Sequence, residues 1–174
     1  MFKPIDEVLK ILQDGNQRFI DDLEKNYNFI KTRKRLIKKQ NPFVIILSCS
    51  DSRVAPEIIF DTNLGSIFDI RITGNIVNKS ILESIQYALD EFKCSTIIVL
   101  GHESCGAIEM TLKGVDNNIT NKIKPIINES DPIKANIVQS MNEIKKYLNE
   151  RELLNKYIIY GAEYYLETGK VEFL

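Results

Sequence analysis

Phe43-Val44-Ile45-Ile46-Leu47-Ser48-Cys49-Ser50-Asp51-Ser52-Arg53 is the stretch from which the fold of this chain can be read. Its first five residues are continuously apolar and rich in β-branched side chains. That pattern predicts a strand buried on both faces rather than one with a wet side. The strand runs without a spacer into serine, cysteine, aspartate and arginine. A second segment repeats the design: Thr96-Ile97-Ile98-Val99-Leu100 is again apolar and is followed by Gly101-His102-Glu103-Ser104-Cys105-Gly106. Two buried strands thus each release chemically capable residues at their carboxyl ends.

Between them, Ile67-Phe68-Asp69-Ile70-Arg71-Ile72 alternates as a strand should and ends at Thr73-Gly74-Asn75. A helix follows, with Ile81, Leu82, Ile85, Ala88, Leu89 and Phe92 on one face. Ser80 is its expected N-cap, with Glu83 three residues on. Upstream, residues 4–38 read as helical, with Ile5, Val8, Leu9, Leu12, Phe19 and Leu23 at helical spacing and Pro42 as the stop. Downstream, residues 114–134 read as polar and irregular, and Ala135–Leu154 as helical. Tyr157-Ile158-Ile159-Tyr160 and Val171-Glu172-Phe173-Leu174 read as two short strands joined through Thr168-Gly169. Strands alternating with helices predict an α/β fold: one domain over 1–174, with a helical arm (1–38) and a core (42–174) built on a central, mainly parallel sheet flanked by helices. In such sheets sites form beyond the carboxyl ends of the strands.

Composition narrows the partners. A formal net charge of −1 gives no global field toward nucleic acid or membrane. The basic run Lys31–Lys39 lacks interleaved aromatics and reads as a solvated helix face. No apolar run reaches the length of a membrane span, and the first residues lack signal-peptide features, so the expected location is cytoplasmic. Three cysteines in a reducing compartment argue against a disulfide framework. Cys94, between a helix and a buried strand, reads as an inert core thiol.

The single histidine sits three residues before a cysteine. Zinc accepts thiolate, imidazole and carboxylate, usually four in a tetrahedron. Cys49, His102 and Cys105 supply three donors, and Asp51, two residues beyond Cys49, can be the fourth. Arg53 is placed to form a bidentate pair with Asp51. An aspartate shared between zinc and arginine closes the metal site in one position and opens it to water in the other. Zinc-bound water ionises near neutral pH, so an open site is a catalytic one. A closed structural zinc site is the plainer alternative, and Asp51–Arg53 tilts against it. A phosphatase reading fails because Cys49 to Arg53 is Cys-x₃-Arg rather than Cys-x₅-Arg.

Cys49-Ser50-Asp51-Ser52-Arg53 followed by His102-Glu103-Ser104-Cys105-Gly106 closely resembles the β-class carbonic anhydrases. Gly15-Asn16-Gln17-Arg18-Phe19, Pro56-Glu57-Ile58-Ile59-Phe60-Asp61, Arg71-Ile72-Thr73-Gly74-Asn75 and Thr168-Gly169-Lys170-Val171 extend the resemblance over nearly the whole chain. The resemblance implies reversible hydration of carbon dioxide to bicarbonate and a proton, by zinc-bound hydroxide gated by Asp51 and Arg53. It also implies a homodimer or dimer of dimers, with the N-terminal helices embracing the partner and the sites at the interface. Gln40, Phe68 and Tyr87 match the substrate pocket of the plant-like subclass, with the two aromatics contributed across the interface. Gly106 is expected to present its N–H to the reacting species. Ile46 and Ser48 depart from the tryptophan and glycine of the regulated bacterial subclass. Hydrolysis of carbonyl sulfide or carbon disulfide, and a zinc-stabilised scaffold without turnover, are the competing functions.

Overall fold

A computed structural model of the chain describes residues 3–92 and 94–174. The first two residues of the expected arm lie outside this range. Five strands, β1 (Val44–Ser48), β2 (Ile67–Arg71), β3 (Thr96–His102), β4 (Ile158–Tyr164) and β5 (Val171–Phe173), form one sheet in the order β2-β1-β3-β4-β5. The first four are parallel, and β5 runs antiparallel to β4 as a closing edge.

The strand alternation assigns each side chain to a layer. Ile45, Leu47, Ile97 and Val99 face one layer of helices, α4 (Lys79–Glu91) and α7 (Pro132–Asn149), through Ile81, Ile85, Leu89, Ile137, Ile144 and Leu148. Val44, Ile46, Ile98 and Leu100 face the other, where α1 (Ile5–Ile20) and α3 (Pro56–Ile59) contribute Val8, Leu12 and Ile59, with Phe60 just beyond. Every residue of β1 and β3 is buried, as their unbroken apolar runs require. Each fully buried Val, Leu or Ile contributes about 1.5–3 kcal/mol, so these two layers dominate the fold's stability.

Four local expectations are corrected. The arm is two helices: α1 ends at Ile20, Asp22 takes a positive φ of 57°, and α2 (Phe29–Arg35) starts afresh on an Asn28 cap. It stops before Pro42, at Leu36. The cap of α4 is Asn78, whose side chain accepts the Ile81 N–H, not Ser80. The polar segment 114–134 contains α6 (Asn118–Ile123), opened by a reciprocal capping box between Asn117 and Thr120, and a 3₁₀ turn at Lys124–Ile126. Finally α7 starts at Pro132 behind an Asp131 cap, three residues earlier than read. No described helix is long and apolar enough to cross a membrane.

Candidate metal centre

The centre forms where β1 and β3, neighbours in the sheet, end side by side. Cys49 follows the last residue of β1, and His102 is itself the last residue of β3. Cys105 stands immediately before α5 (Gly106–Leu112), reached through Ser104 at a positive φ of 53° that turns the chain sharply back. Together these elements bring one donor atom each from Cys49, His102 and Cys105 within 4.8 Å of one another, all three residues being buried. Zn–S bonds of about 2.3 Å and Zn–N bonds of about 2.0–2.1 Å demand this spacing.

The histidine is oriented for such a role. Its Nδ1 lies 2.8 Å from the Glu103 carbonyl oxygen, which sets Nδ1 as the protonated nitrogen and leaves the Nε2 lone pair free. Nε2 is buried and has no partner, a cost that a metal would relieve. The two thiols bias each other. Hydrogen bonding with Cys105, acting against burial and joined by the Gly74 N–H, lowers Cys49, while the same contact and burial raise Cys105. A bound cation favours the thiolate form of both.

Asp51 is engaged by Arg53. The guanidinium donates from Nε to Oδ1 at 2.9 Å and from Nη2 to Oδ2 at 2.8 Å, and the Arg53 backbone N–H adds a third bond at 3.0 Å. Arg53, acting against the effect of burial, holds the carboxyl well below the usual carboxylate range. Asp51 is accordingly on its arginine and not among the clustered donors. A hollow of about 420 Å³ opens beside the sulfurs, lined by Cys49, Asp51, Thr73, Gly106, Glu109 and Lys113 among others. Gly106, expected near the reacting species, is at its wall.

Gln40, Phe68 and Tyr87 lie elsewhere within the single chain. None lines the hollow beside the sulfurs. Gln40 and Tyr87 border a separate depression with Phe92, and the ring centroid of Phe68 is 6.1 Å from that of Tyr87 and 5.5 Å from that of Phe92.

Four supporting residues escaped the sequence reading. Arg71, at the end of β2, donates to the carbonyls of Cys49 and Asp51 at 3.3 and 2.7 Å and so pins the ligand loop. Gly74 donates its N–H to the Cys49 sulfur at 3.3 Å. Asn136 and Ser140 of α7 donate to the carbonyls of Gly74 and Asn75 at 2.8 and 2.9 Å. The available signal was two polar residues, four apart, inside the apolar stripe of α7.

The family model described as carbonic anhydrase matches residues 44–171. A carbonic anhydrase of Mycolicibacterium smegmatis is 33% identical over 189 residues, covering 94% of this chain and 90% of its own length. A Coccomyxa β-carbonic anhydrase, solved with acetazolamide bound, superposes with a TM-score of 0.73 at 18% identity, over 98% of this chain and 86% of that one. A tetrameric β-carbonic anhydrase of Sordaria macrospora superposes with a TM-score of 0.61 at 20% identity, over 97% of both chains.

Proposed function

This chain belongs to the β-class carbonic anhydrases, and on that premise we propose that Cys49, His102 and Cys105 hold zinc and that the enzyme hydrates carbon dioxide reversibly to bicarbonate and a proton. The observation that carries the reading is the buried cluster of two sulfurs and an imidazole whose Nε2 has no protein partner. A bound zinc supplies Lewis acidity, giving a hydroxide nucleophile near neutral pH. The protein's part is to hold the donors and keep a fourth position open. Arg53 does the second by binding both oxygens of Asp51, a carboxylate that lines the hollow. Gly106, at the hollow's wall, is placed to offer its N–H to the reacting oxygen.

The pocket is completed, in this proposal, by a second copy of the chain. Gln40, Phe68 and Tyr87 form the plant-like substrate wall across a homodimer interface, which is consistent with their separation from the sulfurs of their own chain. Tetramers occur in the Sordaria relative, so a dimer of dimers is open to this one. Three free cysteines suit a reducing cytoplasm.

Metal analysis and stopped-flow hydration test the proposal together. The purified protein should carry about one zinc per chain. Cys49→Ser, His102→Ala and Cys105→Ser should each lose zinc and activity in parallel. Arg53→Ala should keep zinc yet lose most hydration, because Asp51 then has no competing partner. Full zinc occupancy in all three ligand variants, or parental rates in Arg53→Ala, would contradict the assignment. Carbonyl sulfide and carbon disulfide, run in parallel, separate the hydratase from the sulfur-analogue hydrolase.

A further inference from the structure

The Cys49 sulfur accepts a hydrogen bond from the backbone N–H of Gly74 at 3.3 Å. That N–H belongs to a turn of unusual backbone: Gly74 has φ 71° and Asn75 φ 43°. Glycine is required at the first position for a second reason, since a Cβ there would come within 2.8 Å of the Ala107 Cβ and 3.1 Å of Ile123. Glycine takes positive φ without strain, but Asn75 does so at a cost, and such a residue persists where its neighbours hold it. The holding groups are on α7. Asn136 Nδ2 donates to the Gly74 carbonyl at 2.8 Å and Ser140 Oγ to the Asn75 carbonyl at 2.9 Å. Both side chains are almost wholly buried, at 2% and 1% exposure, and they lie one helical turn apart on a face otherwise occupied by Ile137, Ile144 and Leu148.

We infer that Asn136 and Ser140 are positioning residues that set how strongly the Cys49 sulfur donates to the metal, acting through the N–H of Gly74. The inference rests on the metal-binding reading and deepens it. A hydrogen bond to a thiolate withdraws electron density from sulfur. A site with two thiolates leaves its metal less Lewis acidic than one with imidazoles alone. An N–H held on one of those sulfurs offsets part of that loss. The device works only while the turn is clamped, because a relaxed Gly74–Asn75 turn carries its N–H away from the sulfur.

The test uses the zinc protein and its cobalt(II)-exchanged form, whose sulfur-to-cobalt charge-transfer band reports the electron density on sulfur. Ser140→Ala and Asn136→Leu should each shift that band to longer wavelength. Each should also weaken zinc retention against a chromophoric chelator roughly tenfold at neutral pH, because a thiolate without its N–H is more readily protonated and the proton competes with the metal. Ser140→Thr, which keeps the hydroxyl, should restore both. Variants that melt at lower temperature but keep the parental band and zinc affinity would overturn the inference, leaving the two residues as fasteners of α7. If Asn136→Leu does not fold, the Ser140 pair decides alone. A parent protein that takes up cobalt without any sulfur-to-cobalt band would instead refute the metal reading itself, and this inference with it.

Discussion

At the scale of single residues, two groups carry predictions that depend on protons. Asp69 sits on β2 with Oδ1 buried and unpartnered, and burial, reinforced by Glu57, pushes its carboxyl up to about 6. An unfolded aspartate titrates near 3.9, so between about pH 4 and 6 the folded state binds more protons than the unfolded one. Stability from this residue is therefore fullest below about pH 4, is lost as pH rises through 6, and stays lost above it. Asp69→Asn should raise stability by about 1–2 kcal/mol at pH 8 and by nothing measurable near pH 4. Urea midpoints at the two pH values check this, and equal shifts at both would refute it. The second group is His102, the chain's one histidine. With Nδ1 on the Glu103 carbonyl and Nε2 assigned to zinc, it has no lone pair with which to relay the proton that hydration releases. Tyrosines at about pKa 10 are poor acceptors at pH 7. External buffer should take that role, so the turnover number should rise with buffer concentration at fixed pH and ionic strength while kcat/KM stays constant. A turnover number flat from low to high millimolar buffer would contradict this.

At the scale of elements, the motif Gly15-Asn16-Gln17-Arg18-Phe19 is explained by how α1 docks. A Cβ at Gly15 would lie 1.9 Å from the Phe60 carbonyl oxygen, so only glycine lets the helix reach the end of α3. Asn16, 4% exposed, donates to the carbonyls of Ile59 and Gly169 at 3.2 and 2.8 Å and accepts the Val171 N–H at 2.8 Å. Arg18 pairs with the buried Asp61. Two dispersed segments, at residues 59–61 and 169–171, are thereby stitched to one helix. Asn16→Ala strands two carbonyls and one N–H in a buried place, and should cost about 2–4 kcal/mol in denaturant unfolding. A loss under 1 kcal/mol would mean that water reaches these groups. The errors of the sequence reading also belong to this scale. The Asn78 cap and α6 were missed because each opens on short hydrogen-bonding side chains, and Asn, Ser, Thr and Asp carry that signal in many places where no helix begins.

At the scale of the whole molecule, the sheet order puts β1 and β3 side by side and sends their carboxyl ends to one edge, while Gln40 and Tyr87 border a different depression, with Phe68 packed against Tyr87. The proposed pocket would therefore draw these three residues from a second chain. Gln40→Ala should lower hydration while leaving zinc content unchanged, by removing a donor aimed at the reacting oxygen. Sedimentation should find a dimer or larger assembly under assay conditions. A fully active monomer would refute the shared site. The sequence by itself determined much of this protein: the buried strands, because a segment covered on both faces must be apolar throughout; the α/β class, from the alternation of periods; and the donor atoms, because thiol and imidazole chemistry belongs to residue type. Tertiary structure alone decided the rest. That Arg71 pins the ligand loop and that Asn136 and Ser140 clamp the turn at Cys49 are facts about what stands opposite what. Periodicity tells which face a side chain occupies, but the partner across that face is chosen by the packing of segments distant in the chain.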